Sequence, residues 1–159
     1  MLRCFENRFI SRHGFDFEVS EALLSRPGYT FHLGDILETF PRVPDDSFDF
    51  IVFLSILEHL DDPVFILREA RRTLRPSGRL FFNCPNWFGK WVIENIVYRL
   101  FDPNGEARKQ VDTHKMYYGP RDMWPLLVKA GFVSSEIRIW RSNLLCSISG
   151  YAEKKEDSP

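Results

Sequence analysis

Hydrophobic and polar positions fall into two rhythms along this chain. From Phe48 to Leu54 the run FDFIVFL is apolar at nearly every position after Asp49. Continuous apolarity, rather than alternation, predicts a strand buried on both faces, as at the centre of a parallel sheet. A helical rhythm follows. Ile66, Leu67, Ala70 and Leu74 recur at spacings of three and four, while Arg68, Glu69, Arg71 and Arg72 take the opposite face. Asp62-Pro63 opens this helix, with Asp capping the free amides and Pro in the first turn, where its missing N–H costs nothing. Pro76-Ser77-Gly78 stops it, and residues 79–84 (RLFFNC) form a second buried run. Strand, helix and strand joined by short loops predict a βαβ unit with a right-handed crossover.

Upstream, Tyr29–Leu33 (YTFHL) reads as a strand ending at Gly34-Asp35, and residues 20–26 as a short helix stopped by Pro27-Gly28. Downstream, residues 87–100 show helical spacing at Val92, Ile93, Ile96, Val97 and Leu100. A further helix covers residues 122–130 if Asp122 is its N-cap, which puts Pro125 at the third helical position, and Gly131 ends it. Residues 135–140 and 144–152, joined by Arg141-Ser142-Asn143, predict a terminal antiparallel hairpin. Residues 41–47 and 101–115 read as loops. The charged tail 153–159 (EKKEDSP) lacks apolar anchors and is expected to fray. The fold class expected is α/β, with a mostly parallel sheet and an antiparallel edge, in a single domain over residues 1–152.

Composition narrows the function. The chain has 159 residues, 44% of them hydrophobic and 27% charged, which excludes a disordered, collagenous or disulfide-built protein. Its 21 Lys+Arg against 22 Asp+Glu give a net charge of −1, so no global basic field is present to hold a nucleic acid. Cys4, Cys84 and Cys146 lie far apart with no CxxC spacing, which suits free thiols in a reducing cytoplasm. No apolar stretch approaches the ~20 residues of a membrane span. The first residues, MLRCFENRFISRHG, lack the apolar core and cleavage site of a signal peptide. A cytoplasmic protein without membrane or nucleic-acid partners is expected.

In an open α/β sheet, ligands bind outside the carboxyl ends of the strands. Three such ends carry polar groups: Asp35, Leu54-Ser55, and Asn83 to Asn86 (NCPN). Asp35 offers a carboxylate to an amine or hydroxyl; an ordinary turn cap is the plainer reading. Glu58-His59 offers a general base or half of a metal site, though an isolated Glu-His step is commonly a structural pair. His114 lies in the polar loop, where a solvated histidine is the commoner case. No metal is expected. Most of the four Trp and 15 Phe belong to the core, with Trp87 and Phe88, just past a strand end, as the exceptions. The glycines are scattered, with no GxGxxG for a nicotinamide cofactor and no phosphate-cradling loop.

The segment from Gly34 to Asn86 carries an ordered pattern: Asp35, Phe40-Pro41, Ser47-Phe48-Asp49, Leu57-Glu58-His59-Leu60, Asp62-Pro63, then Leu74 to Gly78 and the closing Pro85-Asn86. In order and spacing it resembles the later part of the class I S-adenosylmethionine-dependent methyltransferases, in particular their small-molecule group. The remainder fits as well: His114, Tyr117-Tyr118, a helix ending at Lys129-Ala130-Gly131-Phe132, and a hairpin whose last strand inserts antiparallel beside its predecessor. The resemblance implies a Rossmann-like three-layer sandwich. It implies that Asp35 and Ile36 bracket the adenine of S-adenosylmethionine, and that Leu54 and Ser55 line the methionine end. Gly14-Phe15-Asp16 resembles the family's second strand, whose acid grips the ribose hydroxyls, which implies that role for Asp16.

That resemblance implies methyl transfer to a small-molecule acceptor, leaving S-adenosylhomocysteine. An oxygen or carbon acceptor is favoured because the amine-directed N-P-P-Y signature is absent, and His59 or His114 is the candidate base. One departure stands out: the family's opening strand and its D/E-x-G-x-G-x-G loop have no counterpart in the fifteen residues before Asp16. The first strand is therefore expected to be missing. This raises an alternative, a degenerate member without activity that serves as an interaction module, or as a homodimer, through an exposed sheet edge.

Overall fold

A computed structural model describes residues 11–92, 94–95 and 115–156. Contacts group the chain into two compact units, Met1–Pro44 and Asp45–Pro159, where the sequence suggests one domain over residues 1–152. In the first unit, β1 (Arg12–Asp16) and β2 (Tyr29–Leu33) pair in parallel, from Arg12 opposite Tyr29 to Asp16 opposite Leu33. The short helix α1 (Glu21–Leu24) connects them, and α2 (Ile36–Thr39) follows β2. Phe15 stacks on His32 at 4.4 Å and meets buried Phe40 edge-on at 4.9 Å, giving this small unit its apolar centre.

The second unit holds β3 (Phe48–Leu54), α3 (Pro63–Thr73), β4 (Leu74–Pro85), α4 (Trp87–Val92), α5 (Pro120–Lys129), β5 (Ile137–Ser142) and β6 (Ser147–Glu153). Its four strands lie in the order β3-β4-β6-β5. β3 and β4 run parallel, and β6 enters antiparallel to both β4 and β5. The last strand thus inserts between its predecessor and β4, so β3, β4 and β5 all point the same way. Ile51, Phe53, Leu80 and Phe82 of the sheet are buried with Ile66, Leu67 and Ala70 of α3 and Met123 and Leu127 of α5. Each large side chain buried in this way contributes about 1.5–3 kcal/mol over an exposed one.

The βαβ unit forms as its sequence implies. The Asp62 carboxylate accepts from the Phe65 amide at 3.1 Å, and Pro63 takes the first helical position. At the far end of α5, Gly131 adopts φ +98°, and Phe132 N–H returns to the Leu127 carbonyl at 3.1 Å, a left-handed stop suited to glycine.

Five expectations are corrected. β3 is not buried on both faces: Phe50, Val52 and Leu54, which share one face, are 43%, 42% and 37% exposed, while Ile51 and Phe53 on the other face are buried; β3 also ends the strand order of its sheet. β4 starts at Leu74 rather than Arg79, since Leu74 already pairs with Phe48 before an irregularity restores register at Phe50 and Arg79. α5 starts at Pro120 because Asp122 is not the cap; its carboxylate reaches back to the Gly119 amide at 2.8 Å, and Pro125 lies inside the helix. The hairpin turn covers 143–146 rather than 141–143, with Asn143, Leu144 and Leu145 at φ 50°, 53° and 71°. The tail does not fray at once: β6 includes Glu153, and Lys154 is buried, donating to the Leu74 carbonyl at 2.7 Å and to Asp46 at 2.8 Å. The helix foreseen over 87–100 is seen as α4 at its start, and its later part lies outside the described residues.

Candidate functional site

In the first unit two carboxylates stand at one end of a parallel strand pair. Asp16 closes β1, and Asp35 follows β2 as the N-cap of α2. The Gly34 amide donates to the Asp16 carbonyl at 3.0 Å, so the two acids flank one continuous ladder. Each holds a single following amide through Oδ1: Asp16 takes Phe17 N–H at 2.8 Å, and Asp35 takes Leu37 N–H at 2.9 Å. Asp35 is thus the turn cap of the plainer reading. That role uses one oxygen, and Oδ2 of each acid has no hydrogen bond among the described residues. Two carboxylates held in place by backbone and each presenting an open oxygen suit ligand hydroxyls or amines, as a nucleoside offers. Ile36, half-buried, follows Asp35 at the first position of α2.

In the second unit, Leu54 ends β3 and Ser55 extends its pairing, donating N–H to the Asn83 carbonyl at 3.0 Å. Ser55 then turns sharply, with φ 53°, a conformation rare for a residue with a Cβ and frequent at functional turns. A tight turn at Leu57–His59 follows, which places half-buried His59 beyond the strand end. Beside it, the carboxyl end of β4 is built from amides. Asn83 Nδ2 donates to Ser149 Oγ at 2.8 Å and to the Ile148 carbonyl at 3.1 Å. Asn86 Oδ1 accepts from Gly89 N–H at 2.8 Å, and its Nδ2 donates to the Leu145 carbonyl at 2.7 Å. Both amides are therefore engaged in fixing neighbouring chain. Trp87 and Phe88 remain more than half and half exposed, at 59% and 50%, and Trp87 packs against Tyr117 at 5.2 Å.

The sequence did not reveal the buried junction next to this turn. Glu58 is fully buried, and burial raises its carboxyl above the ordinary glutamate range, against weaker opposition from the charge of His59 and from the Ser55 hydroxyl and Cys84 thiol. Burial likewise pushes the Cys84 thiol up, and Tyr118 up to about 12. The residues lie in three separate stretches of chain, and nothing in local spacing announces the meeting. Among the described residues no group of three His, Cys, Asp or Glu side chains forms a cation cage, and no helix is long and apolar enough to cross a membrane. Thus Asp16 and Asp35 share one strand-end ledge, and Leu54, Ser55 and His59 share one loop. His114 lies outside the described residues.

Parallel strands with polar loops at their carboxyl ends, closed by an inserted antiparallel strand, define a Rossmann-like α/β protein of the methyltransferase type. Comparison with known proteins agrees. Residues 12–82 match the family described as "Methyltransferase domain". A 37.1 kDa protein in a Streptomyces fradiae transposon is 44% identical over 61 residues, 38% of this chain and 17% of that protein. A ubiquinone biosynthesis O-methyltransferase of Histophilus somni is 39% identical over 49 residues, 30% of this chain and 21% of that enzyme. The chain thus spans about a fifth of the length of these relatives. Among solved structures, a SAM-dependent methyltransferase from Archaeoglobus fulgidus superposes with TM-score 0.63 at 14% identity, covering 96% of this chain and 91% of that one. The S-adenosylmethionine-dependent methyltransferase of Mesorhizobium loti gives 0.64 at 17%, covering 91% and 80%. Residues 12–82 are thus similar to the methyltransferase family, and the fold is that of the class I S-adenosylmethionine-dependent methyltransferases.

Proposed function

We propose that this chain acts in methyl transfer from S-adenosylmethionine to a small-molecule acceptor, oxygen or carbon being favoured over nitrogen. One observation carries the reading: the family match over residues 12–82 contains all five candidate cofactor residues, Asp16, Asp35, Ile36, Leu54 and Ser55. The open carboxylate oxygens of Asp16 and Asp35 fit the hydroxyls and amine of an adenosine. In this reading Asp16 holds the ribose, Asp35 and Ile36 bracket the adenine, and Leu54 and Ser55 line the methionine end. S-adenosylmethionine supplies, when bound, a methyl group on a positively charged sulfur. The protein's part is positioning, and for a hydroxyl acceptor a base, His59 or His114. The similarity to ubiquinone biosynthesis O-methyltransferases supports an oxygen acceptor. A cytoplasmic setting is supported by Cys84 and Cys146, both free thiols.

Titration calorimetry with S-adenosylhomocysteine tests this. Binding in the micromolar range that Asp35→Ala abolishes is the expected result. The substitution also removes the α2 cap, so circular dichroism must show the variant folded. Absence of heat from the folded wild-type chain overturns the proposal.

A second reading, an interaction module without catalysis, is favoured by the edge position of β3. Phe50, Val52 and Leu54 alternate along it without a Lys or Pro to block pairing, so a second copy of the chain is the partner proposed. Light scattering that gives a dimer mass supports this reading, and a strict monomer removes it.

A further inference from the structure

The turn after β3 and the segment entering α5 are tied together around a fully buried carboxyl. The amides of Lys115 and Met116 both donate to the Glu58 carbonyl, at 2.8 and 3.2 Å. The Tyr118 amide donates to the Pro85 carbonyl at 3.3 Å, and its hydroxyl donates to the Leu57 carbonyl at 3.3 Å. The Glu58 side chain at this knot is 0% exposed, and neither of its carboxyl oxygens has a hydrogen-bond partner among the described residues. A buried carboxylate without hydrogen bonds of normal length is far costlier than the neutral acid.

The groups facing Glu58 come from every neighbouring element. His59 lies in its own turn, Ser55 at the end of β3, Cys84 on β4 and Tyr118 ahead of α5, with Asp122 of α5 acting on Tyr118. Lys115 is engaged elsewhere, its ammonium donating to Asp61 at 2.6 Å. Burial keeps Cys84 and Tyr118 neutral through the range in which a carboxyl titrates. The nearby backbone, His59, the Ser55 hydroxyl and the Cys84 thiol favour the ionised acid, but more weakly than burial opposes it.

We propose that Glu58 is a proton-operated latch: with its carboxyl protonated, residues 115–118 stay fastened to the turn at Leu57–His59, and loss of the proton releases them. Release would uncover Cys84 and free Tyr117 from Trp87, so the surface beside the strand ends would change with pH. This holds whether or not the chain binds a cofactor.

Amide hydrogen exchange by NMR, in EDTA and between about pH 5 and 9, tests the latch. Each rate is divided by its intrinsic rate at that pH. In the wild-type chain the protection of Lys115, Met116 and Tyr118 should fall about tenfold as pH rises, while β4 and β6 amides keep theirs. In Glu58→Gln the three amides should stay protected throughout. A flat wild-type profile, or the same fall in the variant, overturns the proposal. If the variant does not fold, the carboxyl carbon of wild-type Glu58 is titrated instead. Coincidence of its midpoint with the loss of protection supports the latch, and separate midpoints overturn it.

Discussion

Gly89 lies so close to Cys146 that a Cβ at position 89 would stand 2.1 Å from the Cys146 carbonyl oxygen. That carbonyl also accepts the Asn86 amide at 3.2 Å, and the Asn86 side chain bridges Gly89 N–H and the Leu145 carbonyl. The start of α4 is thus docked on the turn between β5 and β6 by backbone contact, with glycine making the approach. Gly89→Ala should therefore destabilise the protein by about 1–3 kcal/mol, the usual cost of overpacking. Urea denaturation checks this; an unchanged midpoint would mean that the turn simply moves aside.

Lys154 closes the opposite end of the same sheet. Its ammonium, almost wholly buried, meets Asp46 at 2.8 Å and the Leu74 carbonyl at 2.7 Å. Lys154→Met keeps the aliphatic stem but leaves that carbonyl without its donor. The Asp46 side chain is half exposed and can turn to water, so the cost should be about 1–3 kcal/mol, the penalty of one orphaned buried group. Thermal unfolding measures it. No change in midpoint would show that water replaces the ammonium.

At the start of α3 the expectation is smaller. Asp62→Ala removes the acceptor for the Phe65 amide and should cost about 1 kcal/mol. Asp62→Asn, also a good cap, should keep most of it. Equal losses in the two variants would contradict a capping role.

Glu58 sets a pH dependence of global stability apart from local release. Burial raises its carboxyl in the folded chain, whereas the unfolded chain has the ordinary value. Between the two, the folded state holds a proton that the unfolded state has lost. Its contribution is therefore complete below the ordinary glutamate pKa and fades as pH rises toward the raised value. Glu58→Gln should flatten the stability profile across that window and gain on its alkaline side. Parallel profiles for wild type and variant would show that another group carries the dependence.

The βαβ unit was legible in the chain because its signals are local. Asp62, Pro63 and the 3–4 spacing of Ile66, Leu67 and Ala70 act within a few residues, and β3 appears with the bounds its apolar run implies. The strand ends bearing Asp35 and Ser55 were legible for the same reason. The start of α5 was not, because Asp122 suits both the cap and the third helical position, and Gly119-Pro120 decided between them.

Local sequence determined which segments are strands and helices, since propensity, capping and hydrophobic period act over one or two turns. Tertiary structure decided the rest. Whether FDFIVFL is central or at an edge depends on what pairs beside it, and β3 ends its sheet. Lys154, read as a charged tail, is buried because Asp46 and Leu74 are brought to it from across the sheet. Glu58, read as half of a Glu-His pair, is a buried acid beside Cys84 and Tyr118, which come from β4 and the approach to α5. In each case burial depends on partners far away along the chain, and only folding sets those distances.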